Sequence, residues 1–208
     1  MKIIRLGAPL LLLIGLILCA ADKKKPQQAY LYKPDQTVDL AAADLATAAQ
    51  DCENWAIAAG LESMLRQKKI NLDQRFWVMR LYGGEVCAQE LPSPESLAQA
   101  VDADFVLDDG RHVRLQLQFT AGAPRDVDSL IASLERQQIV VVLWHEHPYY
   151  LAGATYDEEI GRDGSRLYLI KELRLANTFA KLPGVTFEKN RDNVEEIQGI
   201  ISLKVEAI

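Results

Sequence analysis

Gln50-Asp51-Cys52-Glu53-Asn54-Trp55-Ala56, running on into Ile57 to Arg66, is the stretch around which this chain is organised. Asp51 and Asn54 are both N-cap residue types. After them Ile57, Leu61, Met64 and Leu65 recur at helical spacing, with Glu62 and Arg66 outside that stripe. A thiol thus stands where a loop becomes a helix, where the amides and the dipole of the helix start favour a thiolate. About ninety residues later, a strand-like run carries His145 and His147. A nucleophilic thiol and its activating imidazole meet in space rather than in sequence, so this separation suits nucleophilic catalysis.

The N-terminus sets the compartment. Lys2 and Arg5 precede the apolar run Leu10 to Leu18, and Cys19-Ala20-Ala21 supplies small residues before Asp22. This pattern predicts a secretory signal peptide over residues 1–21, because the run is shorter than the roughly 20 residues a spanning helix needs. Leu16-Ile17-Leu18-Cys19 also resembles a lipoprotein signal, although Leu18 is bulky for that role, so membrane association through an uncleaved or lipid-linked N-terminus stands as the alternative. Lys23 to Lys25, directly after the cut, argue mildly against efficient export. Residues 22–48 read as a polar lead-in or linker, with Val38 to Ala49 rich enough in Ala and Leu to be helical. Residues 49–208 read as the folded domain.

The whole chain carries 23 basic and 29 acidic residues; without Lys2 and Arg5 the mature part keeps 21 basic residues and a net charge of −8. An acidic chain without a basic stripe is a poor nucleic-acid partner. Export also changes the cysteine arithmetic. Cys19 leaves with the signal, and an even pair in an oxidising compartment, here Cys52 and Cys87, defaults to a disulfide. The free nucleophile and the bridged cysteine are rival readings of one sulfur.

Downstream, helical spacing returns over Asn71 to Tyr82 and stops at Gly83-Gly84. Ser93-Pro94-Glu95 opens a short helix through Val101. Asp108-Asp109-Gly110 is a turn, and Val113, Leu115, Leu117 and Phe119 alternate with polar residues as in a half-exposed strand. Asp126 to Gln137 is helical again. Ile139 to Trp144 is a near-continuous apolar run, typical of a strand covered on both faces. Tyr149 to Tyr156, Leu167 to Leu173 after the Asp163-Gly164 turn, and Gly199 to Val205 follow as strands, the last expected to close the sheet. Helices first and an antiparallel sheet after them make an α+β domain.

His145 and His147, two apart on one strand, are expected on one face, either as site residues or as polar residues at a strand end. As a zinc site the pair lacks an obvious third ligand, and no cofactor is called for. His112 reads as a surface residue, Asp157 as a turn former closing the histidine strand or, alternatively to Glu172, a third catalytic residue, and Trp144, Tyr149 and Tyr150 as core.

Gln50 through Arg66, Tyr82-Gly83-Gly84, Cys87, Ser93-Pro94-Glu95, the stretch His147 to Gly153 and Leu169-Ile170-Lys171-Glu172 together resemble the secreted bacterial papain-like cysteine peptidases, from about Ala49 to Leu173. The resemblance implies a papain-like fold, with a central N-terminal helix packed against an antiparallel sheet and a peptide or protein as substrate or ligand. It also implies thiol-dependent peptide-bond hydrolysis, in which Cys52 attacks the carbonyl and His147 moves the proton. Glu172 would fix the imidazole, while backbone amides and Gln50 stabilise the oxyanion. Asp51-Cys52 is similar to the opening of the bacteriocin-processing relatives. The family, however, places its oxyanion glutamine six residues before the nucleophile, and six after Gln50 is Ala56. In that register Cys52 is the family's other cysteine, bridged to Cys87 after the Gly-containing loop, and the chain is an inactive peptide-binding relative.

Overall fold

A computed structural model describes residues 31–41, 50–52, 54–87, 90–122, 127–178, 184–188, 191–192 and 196–208. The expected signal peptide and most of the expected helix before Gln50 lie outside them. Among the described residues the architecture is α+β: four helices and one eight-stranded antiparallel sheet. The helices are α1 (Ala56–Gln67), α2 (Gln74–Tyr82), α3 (Pro94–Val101) and α4 (Val127–Glu135). The strands are β1 (Leu31–Asp39), β2 (Ala103–Val106), β3 (His112–Ala121), β4 (Val141–Trp144), β5 (His147–Ile160), β6 (Arg166–Asn177), β7 (Val185–Glu188) and β8 (Ile197–Ala207). They are ordered β2-β3-β8-β4-β5-β6-β7, with β1 also paired to β5.

Local chemistry explains most helix ends. Asp73 caps α2 by accepting the amide of Phe76 at 2.8 Å, and Gly83, at φ 72°, takes the left-handed conformation that ends it. Ser93 caps α3 through the amide of Ser96 at 3.2 Å, with Pro94 in the first turn. Helix α1 differs. Its cap position is Trp55 rather than Asp51 or Asn54, and no side chain caps it. Packing holds it instead: every residue from Ala56 to Leu65 is buried, Glu62 included. Truncating Leu65, fully buried here, to Ala would cost about 2–5 kcal/mol.

Register fixes which sheet face α1 covers. A Cβ on Gly60 would come within 2.9 Å of Val141, and Ser63 Oγ lies 3.0 Å from the Tyr150 hydroxyl. Val141 pairs with Tyr150 and with Ile201, so these three share the face under α1. Helix α4 packs against β1, β5 and β6.

Three expectations about order and extent change. Residues 31–39, read as part of a polar lead-in, are strand β1, so the sheet recruits chain from before residue 49. The strand at Gly199 to Val205 lies inside the sheet, between β3 and β4, rather than closing it. Asp157 sits within a fourteen-residue β5 rather than ending it at a turn.

Candidate functional site

The start of α1 is stapled to the loop after α2 by two bonds. Cys52 and Cys87 form a disulfide with Cα atoms 5.8 Å apart, and the Trp55 indole N–H donates to the carbonyl of Val86 at 2.9 Å. The bridge spans 35 residues, which in the chain-entropy account stabilises the fold by about 4 kcal/mol. Upstream of the helix, Gln50 is buried and points inward. Its amide Nε2 donates to the carbonyl of Cys52 at 2.5 Å, and its Oε1 accepts from the Thr178 hydroxyl at 3.0 Å. Thr178 also lies 3.4 Å from the carbonyl of Pro148, so this corner joins the helix start to the beginning of β5 and the end of β6. A second chain of bonds runs behind it: the amide of Asp51 donates to Gln74 at 3.1 Å, and the amide of Gln74 to Glu62 at 3.2 Å. Burial pushes the Glu62 carboxyl up, against the opposing pull of its Arg66 ion pair.

These bonds decide where each expected site residue stands. Cys52 presents no thiol, because its sulfur is bonded to Cys87. The residue that opens α1 is Ala56, six after Gln50 and without a nucleophilic atom.

His147 starts β5 opposite Trp144, one residue before Pro148, whose partner is Leu143. Side chains alternate along a strand, and Tyr150, which faces α1, shares its side with Pro148. His147 and Tyr149 therefore project to the opposite face, and His147 is exposed. The expected thiol–imidazole pair is not assembled.

His145 does not share a strand with His147 either. His145 and Glu146, at φ 49° and 63°, are the two left-handed residues of the β4–β5 hairpin turn. The imidazole of His145 stacks on Trp144 at 4.4 Å and pairs with Glu196 at 2.8 Å.

Glu172 lies opposite Thr155, eight residues along β5 from His147, which at strand rise is about 26 Å. It cannot orient that imidazole. Its partner is Arg174 at 2.5 Å, a guanidinium that also holds Asp39 at 2.7 Å and Thr155 at 2.8 Å. Asp157 accepts from the Tyr32 hydroxyl at 2.6 Å and from the amide of Asp35 at 3.0 Å, and it pairs with Lys171 at 2.7 Å. The hydrogen bond from Lys171, then those from Tyr32 and Asp35, hold its carboxyl down to about 2. Both acids fasten β1 to the sheet.

Of the four expected residues, Gln50 and Cys52 are brought to the helix start, while His147 and Glu172 stand elsewhere. Sequence reasoning did not single out Thr178, since an isolated threonine past a strand end carries no periodic or motif signal. Trp144, Tyr149 and Tyr150 are core, as expected. Among the described residues no group of acidic, histidine or cysteine side chains is placed to hold a metal ion, and no helix is long and apolar enough to cross a membrane. No protein-family model, curated protein or solved structure matches the chain.

Proposed function

We propose that this chain is an exported, papain-like domain that binds peptide without cleaving it. The observation that carries this reading is Ala56 at the head of α1, with Gln50 buried beside it and Cys52 bridged to the loop after Gly83-Gly84. That is the register in which the family resemblance explains Gln50, Trp55 and both cysteines at once. A helix laid against an antiparallel sheet agrees with it, and the signal-like N-terminus and the disulfide support export. Hydrolysis by Cys52 and His147 would need the bridge to be opened and the imidazole carried to the other sheet face.

Incubation of the oxidised and the reduced protein with a mixture of fluorogenic peptides tests the reading, alongside a thiol-reactive peptide probe. No turnover and no labelling of the oxidised protein are expected. Reductant-dependent hydrolysis that disappears in both Cys52→Ser and His147→Ala would replace this reading with the peptidase.

A further inference from the structure

Strand β8 is only partly enclosed. It pairs with β3 along its length, from Gly199 opposite Ala121 to Ala207 opposite Val113, but with β4 only over Ile197 to Ile201. From Ser202 onward, the edge facing away from β3 meets neither a strand nor a turn or loop amide among the described residues. In an antiparallel pair every second residue directs its N–H and C=O away from its partner, so residues 202–206 offer a short row of outward donors and acceptors. Beside that edge the chain before β4 diverges, leaving a cavity of about 960 Å³ lined by β8, by Gln118 to Thr120 of β3, by the end of α1 and along the length of α4.

The cavity wall is chemically uneven. Met64, Val140 and Leu203 give it apolar surface, while Lys68, Arg136 and Lys204 face it against a single acid, Asp128. Lys204 is engaged by Glu206 at 2.5 Å, whereas Lys68 and Arg136 have no ion pair among the described residues. A lysine on an edge strand also discourages uncontrolled strand pairing, which leaves this edge selective rather than sticky.

We infer that this gap receives an extended acidic peptide segment, which adds as a strand beside residues 202–206 with its carboxylates toward Lys68 and Arg136. Main-chain bonds to the open edge would supply affinity, and the two cations and the apolar wall would supply selection. The inference rests on the reading of the chain as a binding domain, and places its ligand away from the start of α1.

The test uses the full chain with two dye-labelled hexapeptides, Thr-Glu-Val-Glu-Thr-Glu and Thr-Lys-Val-Lys-Thr-Lys, followed by fluorescence anisotropy and amide hydrogen exchange. The acidic peptide is expected to bind at least tenfold more tightly and to slow exchange within residues 202–206. The double variant Lys68→Glu, Arg136→Glu, which changes only exposed side chains, is expected to lose at least tenfold of that affinity. Equal affinity for the two peptides, no binding of either, or protection confined to other strands would overturn the site. Mass spectrometry of the recovered peptide separates that failure from failure of the binding-domain reading, which cleavage of the peptide would end.

Discussion

The Thr178 hydroxyl and the Gln50 carbonyl oxygen, 128 residues apart, hydrogen-bond at 3.0 Å, and both residues are buried. This bond fastens the loop before α1 to the far end of β6, so it couples the helical layer to the sheet. Thr178→Val keeps the shape and removes the donor. The variant is expected to lose about 1–2 kcal/mol in urea unfolding with an unchanged m-value, and Thr178→Ser to recover most of it. An unshifted midpoint for Thr178→Val would mean the pair contributes nothing to stability.

Removal of the Cys52–Cys87 bridge in the double variant Cys52→Ala, Cys87→Ala is expected to cost about 2–5 kcal/mol. Reductant should lower the unfolding midpoint of the native protein toward that of the variant, and leave the variant itself where it was. A native midpoint that ignores reductant would contradict the bridge.

Gly153 has no room for a side chain. A Cβ there would lie 2.0 Å from Asp39 Oδ1, and 2.9 Å from both Arg174 Nη2 and the backbone oxygen of Val38. The first two contacts can yield; the third belongs to the β1 backbone. Gly153→Ala is therefore expected to push β1 outward at a cost of about 1–3 kcal/mol, with faster amide exchange in residues 31–39 as the readout.

Asp157 gives a pH signature. Its carboxyl is held at about 2 in the folded protein against an ordinary value of 3.8, so the unfolded chain binds the proton first. The stability it contributes is present above pH 3.8 and is lost as pH falls through about 2. Asp157→Asn should flatten the decline of stability across that window. Glu62 runs the other way: its raised carboxyl stabilises most at low pH and loses that contribution as pH rises through its folded value. A wild-type and an Asp157→Asn acid-unfolding curve of identical slope would rule the Lys171 and Tyr32 contacts out as the cause.

The β4–β5 turn spends two left-handed positions on residues with side chains, His145 and Glu146. Asn-Gly in their place suits the same turn, and the amide of residue 146 can still donate to Gln198, as it does now at 2.7 Å. The exposed His145–Glu196 pair that is lost is worth little. The expected result is a gain of about 1–2 kcal/mol in unfolding free energy.

Where local rules act alone, the sequence was legible. Gly83, Ser93 and Pro94 punctuate their helices as their chemistry requires, and the alternation over Val113 to Phe119 is strand β3. What escaped depends on distant partners. Residues 31–39 read as polar lead-in, yet they pair with β5; the register shifts between Lys33 and Gln36, where Asp35 turns left-handed at φ 51° and accommodates Pro34. Asp157 and Glu158 looked like the polar end of a strand; Lys171, Lys33 and Arg166 from neighbouring strands balance them inside it. The tip at His145-Glu146 had no Asn or Gly to announce it. At the candidate site, the sequence left Cys52 open between a free nucleophile and a bridged cysteine, and the bridge to Cys87 is the one the fold contains. The face His147 takes follows from register, which a single sequence does not display.

The interior position of β8 governs when the fold can exist at all. Until residues 197–207 are available, β2–β3 and the strands from β4 onward are separate fragments, each with a bare edge where β8 belongs. Joining them requires contacts of long sequence separation, which form slowly and late. The two halves of the sheet are therefore joined through one shared strand, and whatever loosens β8 from β3 or β4 separates them together with the helices each half carries.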